Sequence, residues 1–188
     1  ETDKKGFSAF QLKIIACVSM CIDHFGYIII GKSIALENSN NLYYIYRILR
    51  YTGRLAFPIF AFLIAEGYCY TRNRYKYLSR LILFAIISEV AFDLGFRDKV
   101  FDWSKQNVFF TLALGLISIM FWDKAIEMFK KKKVIVGILA IIGSVASITV
   151  SWFIKSDYPI CGVASVLYFF LFRKKEFARN ITVGTTLV

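Results

Sequence analysis

Long apolar runs separated by short polar segments dominate this chain. Runs of roughly 17–20 apolar residues, enough to cross about 30 Å of hydrocarbon, recur along its 188 residues. They predict transmembrane helices at residues 12–31, 53–70, 78–96, 107–123, 134–154 and 158–172. A last piece, Asn180 to Val188, has the pattern of a truncated seventh helix. We therefore expect an all-α, polytopic transmembrane helix bundle with at least six spans. No repeat or linker interrupts it, so residues 1–188 are expected to form a single domain.

Composition agrees with a membrane protein. The chain is 57% apolar and 18% aromatic, and its mean hydropathy is +0.56. A soluble domain of this length would carry more charge and fewer Phe and Ile residues. The net charge of +11 could indicate nucleic acid. Basic residues of membrane proteins, however, gather in cytoplasmic loops and contact lipid headgroups, so we expect membrane lipids and no nucleic acid as partners. The four cysteines show no metal spacing, and we interpret them as small buried apolar side chains with no metal site.

The distribution of Lys and Arg residues predicts how the helices are oriented in the membrane. Sixteen of the twenty-four fall at one set of span ends, including the run KKKK at 130–133. The positive-inside rule therefore predicts a cytoplasmic N-terminus and a multi-pass protein of the cytoplasmic (inner) membrane. On the opposite side, the tyrosine-rich segment 43–51 is predicted to be interfacial and partly helical.

Polar side chains inside the predicted spans lie at one level, in their outer halves. His24, the only histidine, lies seven residues before the end of the first span. A charge at bilayer depth costs about 2.5–3.5 kcal/mol even on the insertion scale, so several together indicate a shared polar cavity. The candidate substrate-binding residues at this level are Arg54, Glu89, Asp93, Asn107, Thr111, Asp157 and Tyr158.

Each of these residues also has a purely structural interpretation. Arg54 with Glu89 or Asp93 could be a buried ion pair that joins helices. Asn107 and Thr111 could be interhelical hydrogen bonds, and Asp157 a cap of the last helix. His24 could be a packed core histidine. If an acid–base group is present, His24 is the better candidate, because imidazole titrates near neutral pH. Asp23 points about 100° away from it on a helix and is expected to support it.

Five stretches together resemble the TraX family of membrane proteins. They are LKIIACVSMCIDHFG (12–26), GRLAFPIFAFLIAEGYCYTRNRYKYLSRL (53–81), FAIISEVAFDLGF (84–96), NVFFTLALG (107–115) and DYPICGV (157–163). The strings GR-AFPIFAF, ISE-x-x-FD and NVFFT are the most specific. Pro159 departs from the glycine expected in the last stretch.

The resemblance implies acetyl transfer from cytosolic acetyl-CoA, without a metal, to an amine or hydroxyl acceptor at the extracytoplasmic side. The acceptor would be a peptide, a pilin N-terminus or a sugar. In the related multispanning acyltransferases an early-helix histidine is the catalytic base, and this role falls on His24. Asp23 or Glu89 is then expected to orient the imidazole, and Arg54 or Asn107 to stabilise the oxyanion. The phosphates of acetyl-CoA are expected at Arg72, Arg74 and Arg80. The alternatives are a non-enzymatic membrane assembly factor and a small-substrate transporter.

Overall fold

The N-terminal part of the chain is a helical hairpin. In the computed structural model, which describes residues 6–37 and 40–185 and the side chains of 6–34 and 40–173, helix α1 (Ala9–Phe25) begins at a capping box formed by Ser8 and Gln11. It continues through a π-helical stretch, Gly26–Ile30, into α2 (Gly31–Glu37). Helix α3 (Asn40–Gly53) returns antiparallel to it, since Gly26 contacts Leu49 and Gly53 contacts Asp23.

The remaining helices follow through short connections. After a two-residue turn come α4 (Ala56–Tyr70), α5 (Arg74–Arg97), α6 (Val108–Lys130), α7 (Val134–Phe153) and α8 (Pro159–Thr185). Asn73 caps α5 by accepting from the Lys76 amide at 2.9 Å. Residues 106 and 156 form a parallel bridge, which ties the segment before α6 to the segment before α8.

The core lies among α4, α6 and α8. Leu112, Leu116 and Ile119 of α6 are almost completely buried against Val166 and Phe170 of α8. On the other face of α6, the hydroxyls of Ser118 and Ser144 lie 2.7 Å apart, which brings α7 close. Many apolar side chains of α5 and α7 are exposed at the protein surface. Such outward apolar faces are expected where helices meet lipid.

The structure confirms an all-α fold with four candidate membrane spans: Ala9–Ile34, Asn40–Tyr70, Val108–Lys130 and Val134–Phe153. The second begins thirteen residues before the predicted 53, because the tyrosine-rich segment is itself part of helix α3. The predicted spans 78–96 and 158–172 are helical, but they are not shown to cross a membrane. Helix α5 carries three charges between residues 80 and 93, and the part of α8 whose side chains are described, Pro159–Arg173, is a shorter apolar helix.

Two further expectations are wrong. The piece from Asn180, interpreted as a seventh helix, continues α8 without a break to Thr185. The cysteines at positions 17, 21, 69 and 161 are exposed at the protein surface instead of buried. A thiol on a helix face that meets lipid is still in an apolar environment, so the apolar sequence context did not distinguish the two locations.

Candidate functional site

A cavity of about 620 Å³ opens between α1, the α3–α4 turn and the C-terminal half of α5. This volume is in the range of small-molecule sites. Helix α5 packs against α6 and against the π-helical stretch. The cavity is the gap that remains beside α5. Its titratable and polar lining includes Asp23, His24, Arg50, Arg54, Arg97, Lys105, Asn107, Asp157 and Tyr158. The structure therefore brings together six of the residues that the sequence singled out: Asp23, His24, Arg54, Asn107, Asp157 and Tyr158.

The imidazole of His24 is held in one orientation by its own helix. Its Nδ1 atom lies 2.7 Å from the carbonyl oxygen of Met20. A carbonyl only accepts hydrogen bonds, so Nδ1 carries the proton and Nε2 of the neutral ring is an acceptor. The ring meets Phe96 of α5 edge to face, with centroids 5.0 Å apart. The Met20 carbonyl thus orients the imidazole, which is the role that was expected of Asp23 or Glu89.

Asp23 is instead part of the contact between α1 and α3. Its Oδ2 forms an ion pair with Nη1 of Arg50, whose guanidinium lies 5.2 Å from the ring centroid of Tyr27. The side chain packs against Gly53, where an added Cβ would lie 2.1 Å from the Cβ of Asp23. Asp23 can therefore influence His24 through helix position and charge, without contact to Nδ1.

Glu89 lies behind the cavity wall and joins α5 to the start of α6. Its Oε2 accepts from the backbone amide of Asn107 at 3.0 Å and from Nδ2 of the same residue at 2.5 Å. Nδ2 also donates to the Ala85 carbonyl at 2.8 Å. Oδ1 of Asn107 caps α6 by accepting from the Phe109 amide at 2.9 Å. The alternative interpretation of Arg54 and Glu89 as an ion pair does not hold, because Glu89 is bonded to Asn107.

Asp93, one turn further along α5, organises the loop that follows the helix. It is fully buried, and its Oδ2 accepts from the Asp102 amide at 2.7 Å. Its cation is Arg97, at 4.0 Å, and not Arg54. Arg97 also forms an ion pair with Asp102 at 3.3 Å and donates to the Ser104 hydroxyl at 2.5 Å. Hydrogen bonds from Ser104 lower the pKa of the Asp102 carboxyl to about 2. This network fixes one edge of the cavity.

Thr111 and Asp157 connect α6 to the segment before α8. Thr111 is fully buried and donates to the Asp157 carbonyl; the Ser156 hydroxyl lies 3.0 Å from its Oγ1. Thr111 therefore joins α6 to a connecting segment, whereas the structural interpretation expected a hydrogen bond between two helices. The carboxylate of Asp157 forms an ion pair with Lys105 at 2.9 Å and closes the cavity from this side.

Tyr158 reaches the cavity in an uncommon backbone conformation. Its φ is 52°, in the left-handed region that non-glycine residues rarely adopt. It also precedes Pro159, which disfavours the helical region for the residue before it. The ring stacks on Phe57 with centroids 4.6 Å apart. Backbone strain of this kind is concentrated at functional sites.

The three residues predicted to bind acetyl-CoA phosphates do not line the cavity. Arg72 and Arg80 are exposed near the start of α5. Arg74 pairs with Asp123 at 3.0 Å and covers the ring of Tyr68 at 4.4 Å. Arg74 and Arg97 are 23 residues apart on one helix, or about 35 Å at 1.5 Å per residue. A donor bound through these arginines would have to extend over most of the length of α5.

The cavity lining also contains three residues that were not predicted from the sequence: Arg50, Arg97 and Lys105. Arg97 had a signal, because it follows Glu89 and Asp93 at four-residue spacing and shares their helix face. Arg50 and Lys105 had none, since their partners Asp23 and Asp157 lie 27 and 52 positions away. Within the part of the chain that the structure describes, no group of three His, Cys, Asp or Glu side chains could hold a metal ion.

The apolar helices and the polar cavity define a multi-pass membrane protein. The family described as TraX protein matches residues 8–188, so the chain belongs to the TraX family. It is 38% identical over 121 residues to a protein of Dichelobacter nodosus named "Probable fimbrial assembly protein FimC, serogroup H1". That alignment covers 61% of this chain and 46% of the relative, so this chain spans about half of the relative's length. No solved structure matches.

Proposed function

We propose that this protein is a membrane acetyltransferase that uses acetyl-CoA as donor and His24 as general base. The observation that carries the proposal is the His24 ring in the cavity wall, with Nδ1 bonded to the Met20 carbonyl and Nε2 left as an acceptor. A fixed tautomer with a free acceptor nitrogen is what removal of a substrate proton requires. The proposed location is the cytoplasmic membrane, with the N-terminus inside and the acceptor entering from the extracytoplasmic side.

In the proposed reaction, an amine or hydroxyl of the acceptor donates its hydrogen to Nε2 of His24. As the acceptor atom attacks the thioester carbonyl, the imidazole takes the proton, the C–S bond breaks and the thiolate of CoA leaves with the electron pair. His24 can then return the proton to that thiolate. Asn107 is a poor oxyanion donor, because both hydrogens of its amide are bonded to Ala85 and Glu89. Arg54 is the remaining residue that was predicted to stabilise the negative charge of the oxyanion.

The test is acetyl-CoA turnover by purified protein with His24→Ala and His24→Gln. The acceptors offered are a pilin-type N-terminal peptide and an amino sugar. Loss of a general base lowers the rate by about 10²–10⁴-fold, and both variants should show such a loss while they unfold at the temperature of the wild type. The matched control is Ser88→Ala, because Ser88 also lines the cavity but donates only to its own helix. Turnover that His24→Ala leaves unchanged would remove His24 from the mechanism.

The name of the Dichelobacter nodosus relative supports a second candidate, a fimbrial assembly factor without enzymatic activity. Glu89, Asp93 and Thr111 hold helices and loops together, as this candidate would require. The two candidates separate on donor binding. An acetyltransferase should be stabilised against thermal unfolding by acetyl-CoA and by CoA, whereas an assembly factor should be indifferent to both. The same name is compatible with acetylation of a fimbrial subunit, which makes a peptide the first acceptor to try.

A further inference from the structure

The cations of the cavity differ in whether they have an anionic partner. Arg50 pairs with Asp23, Lys105 with Asp157, and Arg97 with Asp93 and Asp102. In the part of the chain whose side chains are described, the remaining cation, Arg54, forms no ion pair. Its contact is with the ring of Tyr51, whose centroid lies 5.5 Å from the guanidinium carbon. The cavity therefore presents one guanidinium that has no ion-pair partner among the described side chains.

Arg54 lines the cavity and is exposed, so its guanidinium is accessible to a molecule that enters. It lies in the turn between α3 and α4, inside the candidate span Asn40–Tyr70. Charges at membrane depth face a polar cavity or a partner, because hydrocarbon does not solvate them. Asp23, Asp157 and Tyr158 all line the same cavity, yet both carboxylates are engaged with other cations. A transition-state oxyanion exists too briefly to balance Arg54 in the resting or substrate-bound protein.

We propose that Arg54 binds a permanent anionic group, a phosphate or a carboxylate, of the molecule that enters the cavity beside His24. This inference rests on the proposed function and specifies its substrate: one of the two reactants is anionic close to its reacting end. Guanidinium groups bind phosphate and carboxylate in a bidentate manner. Lys105 and Arg50 line the same cavity, but each is already paired with a carboxylate, so Arg54 is the cation that remains for the anion.

Two sources of that anion fit the geometry. One is a phosphate of the donor, which would then bind in the cavity and not at Arg72, Arg74 and Arg80 near the opposite end of α5. The other is a carboxylate or phosphate of the acceptor. The chemistry at Arg54 is the same in both cases, and the choice of probes separates them.

The experiment measures binding to the purified full chain and does not depend on turnover. Dissociation constants are determined for CoA, pantetheine, inorganic pyrophosphate and succinate, with succinamide as the uncharged counterpart of succinate. They are compared for wild type, Arg54→Gln, Arg54→Lys and the control Lys32→Gln. Lys32 is an exposed cation that pairs with Asp98 and does not line the cavity. Loss of a charge-assisted hydrogen bond corresponds to weaker binding by about ten- to a hundredfold.

We expect Arg54→Gln to weaken the binding of at least one anion about ten- to a hundredfold. Arg54→Lys should weaken this binding less, and Lys32→Gln should leave it unchanged. Weaker binding of CoA with unchanged binding of pantetheine assigns the anion to the donor. Weaker binding of succinate with unchanged binding of CoA assigns it to the acceptor. If Arg54→Gln binds every anion as tightly as wild type, or if wild type binds none of them, the proposal is overturned, whatever the result for His24.

Discussion

Replacement of Gly53 by alanine should separate α1 from α3 and disturb His24 without touching it. The new Cβ would lie 2.1 Å from the Cβ of Asp23, and ordinary contact begins at 3.4 Å. The two atoms must therefore move apart by about 1.3 Å. The obstacle is a Cβ fixed to the backbone of α1, so rotation of a flexible side chain cannot relieve the clash. The helices must shift.

The cost of this shift can be estimated. Overpacking costs about 1–3 kcal/mol, and we take the upper end here because the shift of the helices would also disturb the Asp23–Arg50 ion pair. For a chain of this size, each kcal/mol lowers Tm by roughly 2–4 °C, so we expect a loss of roughly 6–12 °C. Because Asp23 precedes His24, the imidazole moves too. A displacement of about 1 Å costs about a hundredfold in rate, and turnover should fall by that order in protein that is still folded.

Gly31→Ala is the matched control for this prediction. Gly31 lies on the same hairpin, but an alanine Cβ there would meet Tyr46 at 3.5 Å, an ordinary contact. Alanine is also the better helix former, so this variant should be as stable as the wild type or slightly more stable. Both proteins are purified in detergent and compared by thermal unfolding and by acetyl-CoA turnover. A Gly53→Ala protein with wild-type Tm and wild-type turnover would refute the close approach of α1 and α3.

Two further substitutions test the polar contacts around the cavity. Asn107→Asp keeps the cap on Phe109 but places a second carboxylate against Glu89, and we expect it to lose about 3–5 kcal/mol, as for a broken buried pair. Adding Glu89→Gln supplies a donor and should restore most of that stability in thermal unfolding; no recovery would contradict the contact. Hydrogen bonds from Ser104 lower the pKa of Asp102 from 3.8 to about 2, so its stabilisation is complete well above 3.8 and disappears as the pH falls through about 2. The Tm advantage of wild type over Asp102→Asn should therefore shrink below about pH 4, and an advantage independent of pH would show that the carboxylate is not responsible.

Much of the helical architecture could be predicted from local pattern. The apolar runs located the helices, and the polar residues at one level located the cavity that His24 and Arg54 line. The helices could be predicted because they depend on the period and length of one segment at a time, whereas Glu89, Asp93 and Thr111 were predicted at the cavity and do not line it. The extent of the second span was missed, because tyrosines and arginines in 43–51 have the composition of an interface while their helix packs along α1.

Partners across the structure could not be predicted in the same way. The contact of Asp23 with Arg50 depends on the register of α1 against α3, and this register is set by close approach at Gly26 and Gly53. Likewise, the predicted topology placed cations near Glu89. Its carboxylate instead accepts a hydrogen bond from the side-chain amide of Asn107 at the start of α6. Sequence spacing says which residues share a helix face, but not which neighbour that face meets.

The polar residues of the predicted spans fall into two groups with different chemistry. Glu89 and Asp93 in the C-terminal half of α5, and Thr111 in the first turn of α6, are buried and bond to backbone groups or short side chains, so their polarity serves packing. His24 and Arg54 line the cavity, the first with an acceptor nitrogen and the second without an ion pair to a described carboxylate. A bundle that needed only polar contacts between helices would gain nothing from such a guanidinium in a cavity wall. The second group therefore argues for a ligand, and a base beside an anion-binding cation is the arrangement that transfer from an anionic thioester such as acetyl-CoA would use.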